Sequence, residues 1–207
     1  MKVSKGDIFD RVYLNEPELN LHIEQEAGSR VKIHIINFTS AKNTVTVEQT
    51  GEGCTTEIYA LAYLHGEDSA TTETHVCHAV GGGTSNQLIK FVLDDNARGR
   101  FIGDLKIAPD AQQTEAHQTN RNLLLSETAE MRTQPQLEIY ADDVKATHGA
   151  STGQLDESAL FYMQQRGIDK QKARQLLVNA FMKEVIETIS DEEMREHLLN
   201  SIDGVVQ

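Results

Sequence analysis

The sequence predicts a mainly β domain over residues 1–150 and a small α-helical domain over residues 151–207. Between residues 31 and 145 apolar and polar side chains alternate with period two, and no stretch shows a convincing helical period. Clusters of Gly, Asn and Asp interrupt that alternation at intervals of about ten to fifteen residues, which leaves no room for a crossover helix. After Gly153 the apolar spacing changes to three and four residues, the period of an amphipathic helix.

The strands read in order as "VKIHIINF", "NTVTVEQ", "TTEIYALAYL", "NQLIKFVL" and "GRFIGDLKI", separated by "TGEG", "HGED", "GGGTSN" and "DDNARG". "EIYALAYL" is apolar on both of its faces, which predicts a strand covered on both sides. A sandwich, a barrel and a parallel solenoid all satisfy the pattern, and no strict repeat selects among them.

In the C-terminal region Asp156 is a suitable N-cap for a helix carrying Leu160, Phe161 and Met163, and Gly167 suits its left-handed end. Because Leu160, Phe161 and Tyr162 are consecutive, a helix spreads them over more than half its circumference, so they cannot all face one core. Asp169 caps a second helix whose stripe is Ala173, Leu176, Leu177, Ala180, Phe181 and Val185. Between these helices lies a basic segment of Arg166, Lys170, Lys172 and Arg174. Ser190 and Glu193 form the pattern of a capping box that opens a third helix. The stretch "DDVKATHGASTG" places His148 at the hinge where strands give way to helices.

With 32 acidic and 19 basic residues the chain carries a net charge of -13, which repels nucleic-acid phosphates and anionic membranes and favours a protein partner. No apolar run approaches the ~20 residues of a membrane span. The opening "MKVSKGDIFD" has no apolar signal-peptide core, so the expected location is cytoplasmic. Cys54 and Cys77 are too few for a disulfide framework and are expected to be reduced.

Few residues suggest catalysis. "THVCH" gathers His75, Cys77 and His78, but on a strand His78 points away from the other two. A metal-dependent enzyme using His65, His75 and His78 is the alternative reading, and it lacks an obvious general base. The glycines of "VGGGTSN" precede a strand and not a helix, so they read as a turn and not a phosphate loop. Asn120 and Asn122 share a strand face and suit a hydrogen-bonding ladder. Ser126, Ser151 and Ser158 lack a nucleophile-elbow setting. His148, between Thr147 and Gly149 and downstream of Asp142 and Asp143, is a candidate metal ligand or proton shuttle, with a solvated turn histidine as the plainer reading.

Across residues 99–189 the pieces "NLLLS", "LEIYADDVK", "HGASTGQLD", "ALFY", "QRGI" and "AFMKEV" occur in the order found in the SufB/SufD family of iron–sulfur cluster assembly scaffolds. The chain resembles the C-terminal half of the SufD branch of that family. The resemblance implies a right-handed parallel β-helix followed by helices. It implies a non-enzymatic subunit that pairs with a SufB-like paralogue through the β-helix and anchors a SufC-like ATPase through the C-terminal helices, or forms a homodimer when alone. The histidine of the family's "HG" motif falls on His148, implying a share in an iron–sulfur cluster held transiently with the SufB-like partner and not tightly by this chain alone. The dock for the ATPase is expected at Leu160, Phe161, Tyr162 and Arg166. The chain departs from the family in having Ala146 where relatives often carry a cysteine, and in entering strands within about its first thirty residues, where relatives usually have an N-terminal helical domain, as expected of a fragment or a short family member.

Overall fold

The computed structural model describes residues 1–205. Twelve strands come first: β1 (Lys2–Val3), β2 (Ile8–Leu14), β3 (Glu18–Gln25), β4 (Arg30–Asn37), β5 (Ala41–Gln49), β6 (Thr55–Leu64), β7 (Ser69–His78), β8 (Thr84–Leu93), β9 (Arg98–Ile107), β10 (Thr114–Leu124), β11 (Glu130–Ile139) and β12 (Val144–Gly153). Three helices follow, α1 (Glu157–Gln165), α2 (Lys170–Ile186) and α3 (Glu192–Val205).

Successive strands alternate between two six-stranded sheets, β1-β3-β5-β7-β9-β11 and β2-β4-β6-β8-β10-β12, and every pairing is parallel. This is a β-solenoid, which excludes the sandwich and the barrel. The distance in sequence between paired residues grows along the chain, from Lys2 with Glu24 to Arg98 with Glu130, so the coils leave no fixed repeat in the sequence. "GGG" is a turn between β7 and β8, with Gly82 in the left-handed region at φ 71°.

Alternate residues of both sheets fill the interior with Ile23, Ile33, Ile58, Ile89, Phe91, Phe101 and their neighbours. The even-spaced outward residues of β6, Tyr59, Leu61 and Tyr63, enter a second core beneath the helices with Val178, Met182, Val185 and Ile186 of α2. "EIYALAYL" is therefore covered on both sides, as its composition predicts.

Local capping follows the sequence for two helices. The Asp156 carboxylate accepts from the Ser158 amide at 2.8 Å, and that of Asp169 accepts from the Lys172 amide at 3.0 Å. Gly167 closes α1 at φ 83°. The third cap differs: Asp191, one residue beyond Ser190, accepts from the Met194 amide at 3.0 Å. Ser190 is instead engaged by the Lys32 ammonium at 3.1 Å. The stripe of α2 is also rotated. Leu176 is 39% exposed, while Val178, Met182 and Ile186 supply the ridge that meets the sheet.

Two fully buried histidines make the fold pH-sensitive. His34, outward on β4 and stacked on Tyr59 with ring centres 5.0 Å apart, lies 2.8 Å from the Thr188 hydroxyl at the end of α2. That hydroxyl donates to the Val185 carbonyl, so the His34 Nε2–H is the donor to it. His78 points inward, its Nε2 2.8 Å from the Ser85 hydroxyl. The Nδ1 of each ring is buried without a partner. Burial lowers both imidazoles to about 4, with the Lys32 charge assisting at His34. Since the unfolded value is ~6.5, the unfolded chain binds more protons as the pH falls from about 6.5 to about 4, and stability is lost in that window. Urea unfolding at about pH 5 should show a loss of about 2 kcal/mol per histidine against about pH 8, reduced in His78→Gln. An unchanged pH profile in that variant would contradict the assignment of His78.

Candidate functional site at the open end of the solenoid

His148 lies within β12, not at a hinge. The strand continues through Gly153, and α1 begins only at Glu157. The run Thr147–Gly153 has no apolar alternation to advertise a strand, and it is held extended by an unbroken parallel ladder that pairs Val144–Gly153 with Thr114–Leu123. β12 is the last strand of its sheet and β11 the last of the other, so each pairs on one side only among the described residues. The solenoid thus ends in two strand edges of about ten residues each.

Alternation sets the direction of each side chain. Val144 and Ala146 face the interior and pack against the core, and His148 follows on the same face. Its register partner on β10 is Gln118, which is buried, whereas His148 itself is exposed at the open end. Thr147 points the other way, its hydroxyl 2.8 Å from His117 Nδ1. Asp143 lies five positions from His148 along the strand direction, about 16 Å away at the rise of a β-strand, so it is no partner of the imidazole. Asn120 and Asn122 do form the expected network: their side-chain amides exchange hydrogen bonds of 3.0 and 2.7 Å inside the solenoid.

The alternative metal ligands do not converge. His75 faces outward, with Nδ1 2.8 Å from Asp104 Oδ2, in a groove of about 390 Å³ shared with Cys77 and Lys106. Burial pushes the Cys77 thiol up, against the opposing pull of Lys106, so it is not an activated thiolate. His78 is inside the solenoid, and His65 is exposed beyond β6 beside the Tyr63 ring. Among the described residues no three His, Cys, Asp or Glu side chains form a metal-binding group.

On α1 the three consecutive apolar residues part as helical geometry requires. Leu160 is buried, while Phe161 and Tyr162 are 62% and 58% exposed. Arg166 donates to the Tyr162 hydroxyl and sits 4.6 Å from the ring centre. The basic segment is smaller than its sequence suggests, because Arg174 turns inward to Asp94 at 3.3 Å and the Leu125 carbonyl at 2.9 Å. Sequence reasoning missed Lys90, whose outward side chain is 1% exposed yet charged. Its Nζ donates to the Phe181 carbonyl at 2.8 Å and pairs with Glu184, which Arg121 also engages at 3.1 Å. Burial lowers the Lys90 amine, and the Glu184 carboxylate opposes that shift. Burial works to raise Glu184, but the hydrogen bonds and charges of Lys90 and Arg121 outweigh it and hold the carboxyl low.

Residues 19–181 match the family described as SUF system FeS cluster assembly, SufBD core domain. The chain is 38% identical over 183 residues to the iron–sulfur cluster assembly protein SufD of Escherichia coli, covering 88% of this chain and 43% of that protein. It is 32% identical over 203 residues to a SufBD family protein of Synechocystis, covering 89% and 45%. With a SufBD family protein of Mycobacterium leprae the identity is 33% over 168 residues, covering 77% and 43%. The chain spans less than half the length of these relatives, and the region matched runs from β3 into α2. A parallel solenoid of this register, followed by helices and carrying the family's core over most of its length, belongs to the SufBD core-domain family.

Proposed function

We propose that this chain is a scaffold subunit for iron–sulfur cluster assembly, without catalytic activity of its own. It pairs with a SufB-like solenoid through the open end formed by β11 and β12, and it anchors a SufC-like ATPase through its helices. The observation that carries this reading is the position of His148 on the edge strand β12, exposed and on the inward face at the open end of the solenoid. An unpaired edge presents a row of backbone donors and acceptors that another strand satisfies. Joining two solenoids there brings His148 to the partner's side chains without requiring a third ligand from this chain. Imidazole is an acceptable borderline ligand for iron, and the remaining thiolate or carboxylate ligands come from the partner. The cluster is cargo, held transiently between the two subunits. Ala146 in place of the family cysteine leaves this chain a histidine-only contribution.

A rigid solenoid suits this role because its end strands hold their side chains in fixed positions while the attached helices transmit a partner's motion. No helix among the described residues is long and apolar enough to cross a membrane. On the likeness to the SufD of Escherichia coli, a bacterial protein, we place the complex in the cytoplasm. Co-expression with SufB-like and SufC-like partners, followed by affinity capture of this chain, tests the assignment. Recovery of both partners is expected; recovery of neither contradicts the scaffold role.

The ATPase dock is the patch of Phe161, Tyr162 and Arg166 over the buried Leu160. An exposed aromatic pair beside a cation supplies an anchor and a register-setting charge in one place. Phe161→Ala should weaken binding of the ATPase by about 2 kcal/mol in titration calorimetry and leave pairing with the SufB-like subunit unchanged. If Phe161→Ala and Tyr162→Ala each leave that affinity unaltered, the dock lies elsewhere.

A further inference from the structure

Along the inner face of the second sheet, one file of register partners runs Ile33, Ile58, Gln87, Gln118 and His148. It is apolar in the early coils and turns polar as it approaches the open end. Gln87 and Gln118 are buried at 0% and 1% exposure, and both amide atoms of each are without a protein partner. Two primary amides in a solenoid core are costly when unpaired. Space for them is nevertheless provided: Gly103 lies across the interior, where a Cβ would come within 2.5 Å of Gln118 Nε2. A side chain at that position would force the Gln118 carboxamide, or the Phe101 ring equally close to it, to move.

We propose that Gln118 is the positioning residue for the His148 imidazole. Neighbouring parallel strands are about 4.8 Å apart, so in-register side chains on one face stack within reach of each other, as in amide ladders. The last torsion of a glutamine side chain is soft, so its carboxamide can turn without leaving a rotamer well. These amide atoms make no such bonds in the structure; in the arrangement proposed, the Gln118 carboxamide turns so that its carbonyl accepts the N–H of the ring nitrogen nearer to it and its amide donates to the Gln87 carbonyl. One imidazole tautomer is then selected, and the lone pair of the opposite nitrogen is directed towards the mouth of the solenoid. That is the arrangement a metal-bound histidine requires, since its second nitrogen is held by a carbonyl or carboxylate behind it. The consequence for cluster binding rests on the function proposed above, whereas the selection of the tautomer does not.

The test is nitrogen NMR of the chain with labelled histidines at mildly alkaline pH, with the His148 signals identified by their loss in His148→Gln. In the parent, the ratio of the two neutral tautomers of His148 should differ from that of a solvated histidine by roughly fivefold to tenfold, as one neutral hydrogen bond allows. In Gln118→Met, which conserves volume and removes the amide, the ratio should return to that of a solvated ring. Should Gln118→Met fail to fold, Gln118→Asn withdraws the carbonyl by one methylene and should give the same result. A parent ratio equal to the solvated one, or a ratio unchanged in either folded variant, overturns the inference. A tautomer that depends on Gln118 in a chain whose His148 is dispensable for assembly would refute the proposed function alone.

Discussion

Replacing His148 with alanine should leave the thermal midpoint within a degree or two of the parent and reduce cluster formation in a complex with a SufB-like subunit by at least about tenfold. The two halves of that expectation have separate causes. His148 is exposed on a strand edge, and its place in the ladder with β10 is held by backbone bonds that alanine keeps, so removal of the ring opens no cavity in the core. Substitutions at such positions stay within about 0.5 kcal/mol. Loss of a ligand from the proposed shared site would have no such tolerance, because ligands carried on a second rigid solenoid could not close on the vacant position. Iron and acid-labile sulfide measured after reconstitution give the answer. Parental cluster content in the variant contradicts the role of His148.

Lys90→Ala carries the largest expected loss of stability, about 3 kcal/mol by chemical denaturation. The Lys90 stem is buried under α2, and its ammonium lies 4.2 Å from the Phe181 ring centre, bonds the Phe181 carbonyl and pairs with Glu184. Truncation removes the packing of the stem and the second donor to that carbonyl, which keeps its helical partner within α2. The loss stays at the lower end for a broken buried pair because Glu184 is 47% exposed and keeps Arg121. Lys90→Met, which retains the apolar stem, should cost about half as much. Partial proteolysis within α2 should accelerate in parallel, since this contact fastens the helix to the sheet. A cost below about 1 kcal/mol for Lys90→Ala would show that the helix is held by its apolar ridge alone.

The alternation in "VKIHIINF" or "GRFIGDLKI" is visible because one face of each strand is buried, and period two follows directly from the pleat. It does not reveal which strand lies beside which. Sandwich, barrel and solenoid share the pattern, and the lengthening coils from Lys2–Glu24 to Arg98–Glu130 erase the repeat that distinguishes a solenoid. The parallel topology was accessible only through the family resemblance. Asp156, Asp169 and Gly167 were legible because capping is a local exchange between a side chain and nearby amides. Ser190 was misread because its hydroxyl is taken by Lys32, a residue distant in sequence. The strand holding His148 was missed for the same kind of reason: its extended form comes from the ladder with β10 and not from the small residues themselves. Lys90 and Arg174 look like surface charges in sequence, and only the docking of α2 reveals their buried partners.

The central claim is that the β12 edge is where the partner solenoid joins. Amide hydrogen exchange, followed by mass spectrometry on this chain with and without a SufB-like subunit, tests it most directly. The edge amides of Val144–Gly153, and those of Glu130–Ile139, should exchange freely in the isolated monomer and slow by at least about tenfold on pairing, since a ladder bond must open before each can exchange. Protection that appears on another face while these two strands continue to exchange at the monomer rate would contradict the account.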